Sequence, residues 1–235
     1  NIVAGNNAST DILNITKENI MQTNSYMSWA CFYNVINRAN TVLEFAPLVA
    51  EKDPNYRVSE LYANIAEAKA IRALSYFYLI RAYKDVPYVT IPSTDDTNEF
   101  VVPAEKFENI LDSLIMDLEE VRTYAVNKYT NKKANTARFT RNGIDALLAD
   151  LYLWDGDWDN CIAAVDRIVA NRVEEYKEIL EKEPNTTLVL FNNEYPLISN
   201  LSPGSGNLGN AYNEIFGQGN SFETLFELAF EGGKG

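Results

Sequence analysis

Two helical patterns meet at Asp155, Gly156 and Asp157 with almost no linker between them, and this junction constrains the fold more than any other feature. Apolar residues recur at helical spacing from Arg141 up to the junction, and again after it as far as Asn171. Gly156 permits the backbone to reverse direction. Because the turn is so short, the two helices must lie antiparallel and in contact.

The residues around this junction resemble the middle of a tetratricopeptide repeat. In this arrangement the first helix supplies aromatic side chains, and small residues let the second helix lie close. A packing role accounts for the whole pattern, with a cysteine at the repeat's usual small position after the turn. The nine residues are Leu148, Ala149, Tyr152, Gly156, Asp157, Trp158, Cys161, Ile162 and Val165.

Three more segments show the three-or-four spacing of a helix, at residues 25–49, 58–83 and 103–121, and the last of them can open at Pro103. Residues 84–102 contain two prolines and many small polar residues, so we expect a long surface loop there. After residue 172 the pattern indicates one short helix at 174–180 and one possible strand at 187–191. The sequence therefore predicts an all-α fold: tetratricopeptide-like helix pairs in a short solenoid, with long inserted loops and little strand.

We expect one region over residues 1–235, with a helical repeat scaffold at about 25–172 and an irregular, loop-rich segment at about 173–235. The apolar stretch 222–230 precedes Gly-Gly-Lys-Gly and reads as a segment cut off before its packing partners. The chain is therefore expected to be a fragment of a longer protein.

Charge and composition exclude several classes of function. A formal net charge of −13 argues against nucleic acid and anionic lipid as partners. Histidine is absent, which removes the usual general base and the usual metal ligand. Cys31 and Cys161 both fall in helical stretches, and we expect two buried free thiols rather than a disulfide. No run of about 18 apolar residues occurs.

A family resemblance extends over much of the chain, in order and spacing as well as in residue type. Lys84 departs from it, because the family often has glycine there. The sequence resembles the N-terminal portion of the SusD/RagB-like outer-membrane nutrient-binding lipoproteins. The segments that carry the resemblance are 37–43, 66–77, 81–88, 117–118, 146–153 and 156–158, with a weaker echo at 220–228.

The resemblance implies a protein that captures oligosaccharides at the bacterial cell surface and catalyses nothing. It would be lipid-anchored to the outer membrane, through an anchor not present in this chain, and would deliver glycans to a SusC-like TonB-dependent transporter. No cofactor is expected. Two alternatives stay open: a tetratricopeptide-type scaffold for protein interaction, and a peptide-binding member of the same family. A glycosidase that relies on carboxylates alone is the weakest reading.

Sugar-binding surfaces combine aromatic faces with amides and carboxylates. Asn24, Tyr26 and Trp29 are the richest mixture of this kind, although Trp29 is explained better as a core anchor of its helix. Tyr88 and Phe100 are further candidates, because an aromatic residue on an exposed loop has few packing reasons to be there.

The junction itself offers two weaker candidates. Trp154 fits a stacking platform and a packing role equally well, whereas Trp158 holds the repeat's packing position. Asp155, Asp157 and Asp159 imitate part of a calcium loop, but asparagine replaces the glycine required at the sixth position. We therefore predict no metal site, with these three carboxylates as a weak calcium candidate.

Overall fold

The computed structural model describes residues 9–21, 23–94, 101–184, 197–198, 215 and 221–228. This part of the chain is mostly helical, with one short antiparallel strand pair, which confirms the predicted fold class. The elements are α1 (Thr10–Thr16), α2 (Ala30–Lys52), α3 (Val58–Tyr83), β1 (Val86–Pro87), β2 (Ala104–Glu105), α4 (Phe107–Val121), a 3-10 turn (Arg122–Tyr124), α5 (Lys132–Ala137), α6 (Arg141–Asp155) and α7 (Trp158–Lys182).

Helices α6 and α7 form the predicted antiparallel pair. Gly156 ends α6 in the left-handed conformation, with φ of 81°, and the carboxylate of Asp157 caps α7 by accepting a hydrogen bond from the backbone N of Asn160 at 3.1 Å. The turn is thus made by a residue that tolerates positive φ, followed by a residue that satisfies a free helical N–H.

Helix α3 packs against α2 and α4 and also contacts α6. Ala66, Ala70 and Ala73 are fully buried on it, so small side chains let the neighbouring helices approach closely. The larger core residues of α3 and its neighbours include Ile36, Tyr76, Phe77, Leu79, Ile110, Leu114, Leu118, Ile144, Leu148 and Leu151.

Three predicted helix boundaries are wrong. Helix α2 begins at Ala30 and not at residue 25. Pro103 does not open α4, because residues 104–105 pair with β1 and the helix begins only at Phe107. Residues 174–180 are not a separate helix, because α7 continues without interruption to Lys182. The possible strand at 187–191 lies outside the described residues. None of the helices in the described ranges is both long enough and apolar enough to cross a lipid bilayer.

Burial also differs from expectation at several positions. Cys31 is exposed rather than buried, although both cysteines are free as predicted. Trp158, Ile162 and Val165 are largely exposed on α7, so packing within this chain does not explain the whole nine-residue pattern. Their spacing places them on the face of α7 that α6 does not cover.

Residues 221–228 pack on this chain's own helices, contrary to the expectation that their partners lie beyond it. The ring of Phe226 stacks on Phe139, with centroids 4.1 Å apart. Arg172 of α7 donates to the backbone oxygen of Thr224 at 2.8 Å. The backbone N of Glu227 donates to the oxygen of Thr136, also at 2.8 Å. This segment therefore crosses α5, α6 and α7, with its aromatic rings against the helical body.

Candidate ligand-binding surface

Aromatic side chains gather where four helices meet at one end of the bundle. Trp29 precedes the first turn of α2, and its ring centroid lies 5.5 Å from that of Tyr83, the last residue of α3. Phe107 begins α4, and its ring lies 6.1 Å from that of Trp154 near the end of α6. We call this region, built from the starts of α2 and α4 and the ends of α3 and α6, the aromatic end.

The loop that carries Tyr26 is held against α1 by side-chain hydrogen bonds. Asn24 is 5% exposed and donates from Nδ2 to the backbone oxygen of Asp11 at 3.0 Å. Its Oδ1 accepts from the backbone N of Tyr26 at 3.0 Å. The Asp11 carboxylate accepts from the hydroxyl and the backbone N of Ser25, at 2.6 and 3.0 Å. These bonds hold the pKa of Asp11 below its usual value, the side-chain bond first.

Tyr26 and Trp29 are available to a ligand at this end. Tyr26 is 58% exposed and Trp29 is 42% exposed. One part of the Trp29 ring contacts Tyr33 and Tyr83, so Trp29 does anchor the start of α2, but it is not buried as a core residue. The structure therefore places Asn24 in a supporting position and leaves Tyr26 and Trp29 on the surface.

Tyr88 is half-buried, although an exposed position was predicted for it. Its ring lies 4.9 Å from that of Tyr76, which is fully buried on α3. The hydroxyl of Tyr76 accepts from the backbone N of Val89 at 2.7 Å and donates to its oxygen at 3.0 Å. Tyr33 donates from its hydroxyl to the oxygen of Pro87 at 2.7 Å, and burial raises its pKa to about 12. The loop is thus fastened by tyrosines. Phe100 lies outside the described residues.

Two asparagines of α2 fasten the same loop further along. Asn37 accepts at Oδ1 from the backbone N of Ser93 at 2.7 Å and donates back to its oxygen at 3.3 Å. Asn40 donates to the oxygen of Val89 at 3.0 Å. Both asparagines belong to a segment that carried the family resemblance. The sequence marked them as a motif, but their role as loop anchors was missed.

Arg81 is a further residue that the sequence reasoning missed. Its guanidinium lies over the ring of Phe77 at 4.3 Å and over that of Tyr78 at 4.7 Å, with the ring of Trp154 at 5.9 Å. These are cation–π distances. Trp154, which fitted stacking and packing equally well, is 48% exposed beside it.

The three aspartates of the weak calcium candidate do not form a cluster in the structure. Among the residues that the structure describes, no three histidine, cysteine or acidic side chains come close enough together to hold a metal ion. Both carboxylate oxygens of Asp157 accept from Asn160, one from its backbone N and the other from its side-chain amide at 2.6 Å. Helix capping is therefore the function that its geometry supports.

Comparison with known proteins places this architecture in a family. A SusD-like family model, described as "Starch-binding associating with outer membrane", matches residues 2–153. SusD-like protein P38 of Formosa agariphila is 25% identical over 161 residues, which cover 67% of this chain and 28% of the relative. A SusD-like protein of Bacteroides ovatus is 29% identical over 136 residues, which cover 57% of this chain and 23% of the relative. The chain thus spans about a quarter of the length of these relatives.

Solved structures show the same fold. A laminarin binding SusD-like protein superposes with a TM-score of 0.61 and 25% identity, over 70% of this chain and 34% of the other. A SusD superfamily protein from Bacteroides vulgatus superposes with a TM-score of 0.60 and 18% identity, over 78% of this chain and 36% of the other. With residues 2–153 matched and the helical arrangement shared, this chain belongs to the SusD-like family.

Proposed function

We propose that this chain is part of a protein that captures oligosaccharides at the bacterial cell surface and passes them, unchanged, to a SusC-like TonB-dependent transporter. The family's description as starch-binding and associated with the outer membrane supports this proposal. The laminarin-binding relative, at 25% identity, supports glycan as the ligand class. Attachment to the outer membrane by lipid and delivery to a transporter follow from the family resemblance.

The observation that carries the proposal is the pair of exposed aromatic rings on a loop that is already ordered. Tyr26 and Trp29 are exposed, while the loop between them and α1 is held by the Asn24 and Asp11 hydrogen bonds. Aromatic faces pack on the apolar face of a sugar ring. A loop ordered before binding avoids part of the entropy cost that a ligand would otherwise have to offset.

The chemistry of this surface suits binding better than hydrolysis. A carboxylate that acts as a general acid needs a raised pKa, whereas hydrogen bonds from Ser25 lower the pKa of Asp11. The chain also has no histidine. Asp11 therefore serves the loop as an ionised acceptor, and we assign no catalytic group.

The proposed organisation is a single region over residues 1–235. In it, a scaffold at about 25–172 displays the aromatic end. A loop-rich segment follows in the remainder of the chain, at about 173–235, except that α7 itself continues to Lys182. The exposed row Trp158, Ile162 and Val165 on α7 favours the second candidate function, a tetratricopeptide-type scaffold for protein segments.

The test is a binding panel with the full-length protein. Starch and laminarin oligosaccharides, other glycans and unrelated peptides would be titrated by calorimetry, and the glycan solutions analysed afterwards by chromatography. We expect saturable binding of at least one glycan class and no change in glycan length. Binding of peptides alone would favour the scaffold or a peptide-binding member of the family. Release of shorter sugars would contradict a non-catalytic role.

A further inference from the structure

We propose that Arg81, with the aromatic rings around it, forms a subsite for an anionic group on a sugar, either the carboxylate of a uronic acid or a sulfate ester. This inference rests on the proposed glycan capture and names the class of glycan. It assigns to Arg81 and Trp154 a direct contact with the ligand, adjacent to Trp29.

The rings fix the guanidinium in place. Phe77 is fully buried, and its ring lies 4.3 Å from the guanidinium carbon of Arg81, while the ring of Tyr78 lies 4.7 Å away. Trp154 completes the surroundings at 5.9 Å. A guanidinium held between rings loses little further freedom when it binds a ligand, and its planar fork matches a carboxylate or a sulfate.

The donors of this guanidinium are largely unused. Within the described part of the chain, Arg81 makes no side-chain hydrogen bond, and the nearest acidic oxygen is Oδ2 of Asp150 at 3.9 Å. The Arg81 side chain is 29% exposed. An arginine placed to join α3 to α6 would be expected to donate to Asp150 at hydrogen-bonding distance. The long contact leaves donors available to a ligand.

The subsite is continuous with the candidate glycan surface. Tyr78 stacks on Phe32 with centroids 6.1 Å apart, and Phe32 lies in the first turn of α2, three residues after Trp29. Exposed rings therefore run from Trp29 through Tyr78 to Trp154, with Arg81 beside the last two. A sugar ring against Trp154 would bring a charged substituent within reach of the guanidinium.

The positive charge of Arg81 determines which class of glycan suits this subsite. The chain carries a net charge of −13, so a general attraction for anions is absent and a specific cation is required. Asp150 is the competing anion: it is half-exposed and lies opposite Arg81. Removing its charge should strengthen binding of an acidic sugar, and removing the charge of Arg81 should weaken it.

The experiment compares three probes on the full-length protein: a neutral laminarin hexasaccharide, a hexagalacturonate and a sulfated carrageenan hexasaccharide. Arg81→Gln should weaken binding of at least one acidic probe about tenfold and leave the neutral probe within about twofold. Asp150→Asn should tighten binding of the same acidic probe. Lys182→Gln removes one exposed positive charge at the far end of α7. It should change the affinity for neither the neutral probe nor the acidic probes. The acidic probe that binds more tightly shows whether the anionic group is a carboxylate or a sulfate ester.

Arg81→Lys keeps the charge, removes the planar fork and serves as a second variant if Arg81→Gln unfolds. It should retain part of the acidic preference. Binding of the neutral probe alone by the natural protein would overturn this inference and leave the proposed function standing. An equal loss for neutral and acidic probes in Arg81→Gln would also overturn it. Failure to bind any glycan would overturn both.

Discussion

The guanidinium of Arg72 lies 2.5 Å from a carboxylate oxygen of Asp117 and joins α3 to α4 within the core. The same guanidinium donates to Oδ1 of Asn40 at 2.9 Å, and Asn40 in turn holds the backbone of Val89. Arg72 thus joins α2, α3 and α4, and through Asn40 it is also connected to the loop that follows α3. All three polar residues lie in segments that carried the family resemblance.

Replacing Arg72 by Leu should destabilise the fold strongly. The substitution removes the donor of the buried Asn40 and one of the two cations of Asp117, since Lys69 still lies 2.9 Å from Asp117. Such losses cost about 1–3 kcal/mol. Urea unfolding followed by circular dichroism measures the loss. Arg38→Leu is the matched control, because Arg38 is exposed on α2, and it should leave the midpoint nearly unchanged. Equal midpoints for the two variants would contradict the assignment.

Asn37→Ala should release the loop at Ser93, where Asn37 holds it, without disturbing the helices. The amide of Ser93 loses its acceptor, so its hydrogen exchange should become faster, while amides in the middle of α3 keep their protection. Native-state hydrogen exchange resolves both regions in one experiment. Asn34→Ala, an exposed change on the same helix, should alter neither. Unchanged exchange at Ser93 in Asn37→Ala would show that the loop is held elsewhere.

The turn at Gly156 provides a test of backbone strain alone. A Cβ there would meet nothing within 4 Å, yet φ is positive. Gly156→Ala should therefore lower the free energy of unfolding by about 1 kcal/mol, and Gly156→Asn by less, since asparagine tolerates the left-handed region. Thermal unfolding of the two variants gives the order. A larger loss for Asn than for Ala would contradict the conformational explanation.

Stability should fall with acid partly through Glu175. Burial alone would raise its pKa, but ion pairs with Lys128 at 2.8 Å and Arg172 at 2.6 Å outweigh burial and lower it below 4.5. The unfolded chain then binds the proton more readily, so the contribution of Glu175 is present above about pH 4.5 and is lost as pH falls through the folded pKa.

Glu175→Gln should therefore flatten the dependence of stability on pH below about 4.5, as measured by urea midpoints at several pH values. Glu178→Gln, one turn further along the same helix and paired with Lys182 at 3.7 Å, is the control and should leave the slope unchanged. An identical slope in the natural protein and Glu175→Gln would rule out this linkage.

Local pattern was sufficient to predict helices at α2, α3, α4 and α6, but the short α5 was not predicted. Helix α3 begins and ends at the residues that its spacing indicates, Val58 and Tyr83. Alanine at every third or fourth position and the polar breaks on either side carry that information. The start of α4 was misplaced because the pairing of β2 with β1 joins residues about 18 positions apart. No local sequence pattern near Pro103 indicates this pairing.

The candidate site was only partly predictable for a similar reason. Aromatic character drew attention to Tyr26 and Trp29, but the burial of Asn24 depends on where α1 places the backbone of Asp11. The setting of Arg81 depends on Trp154, which comes from another helix. Spacing along one helix shows which face a residue occupies and does not show what a distant element brings to that face.

The most direct test of glycan capture at the aromatic end is calorimetric titration of Trp29→Ala with the glycan that binds the full-length protein most tightly. We expect affinity to fall about tenfold or more, with a smaller fall for Tyr26→Ala. Tyr62→Ala removes an exposed ring near the start of α3, where it stacks on Tyr124 at 4.9 Å, and should leave affinity unchanged. Equal affinities for the natural protein and a folded Trp29→Ala would contradict the account.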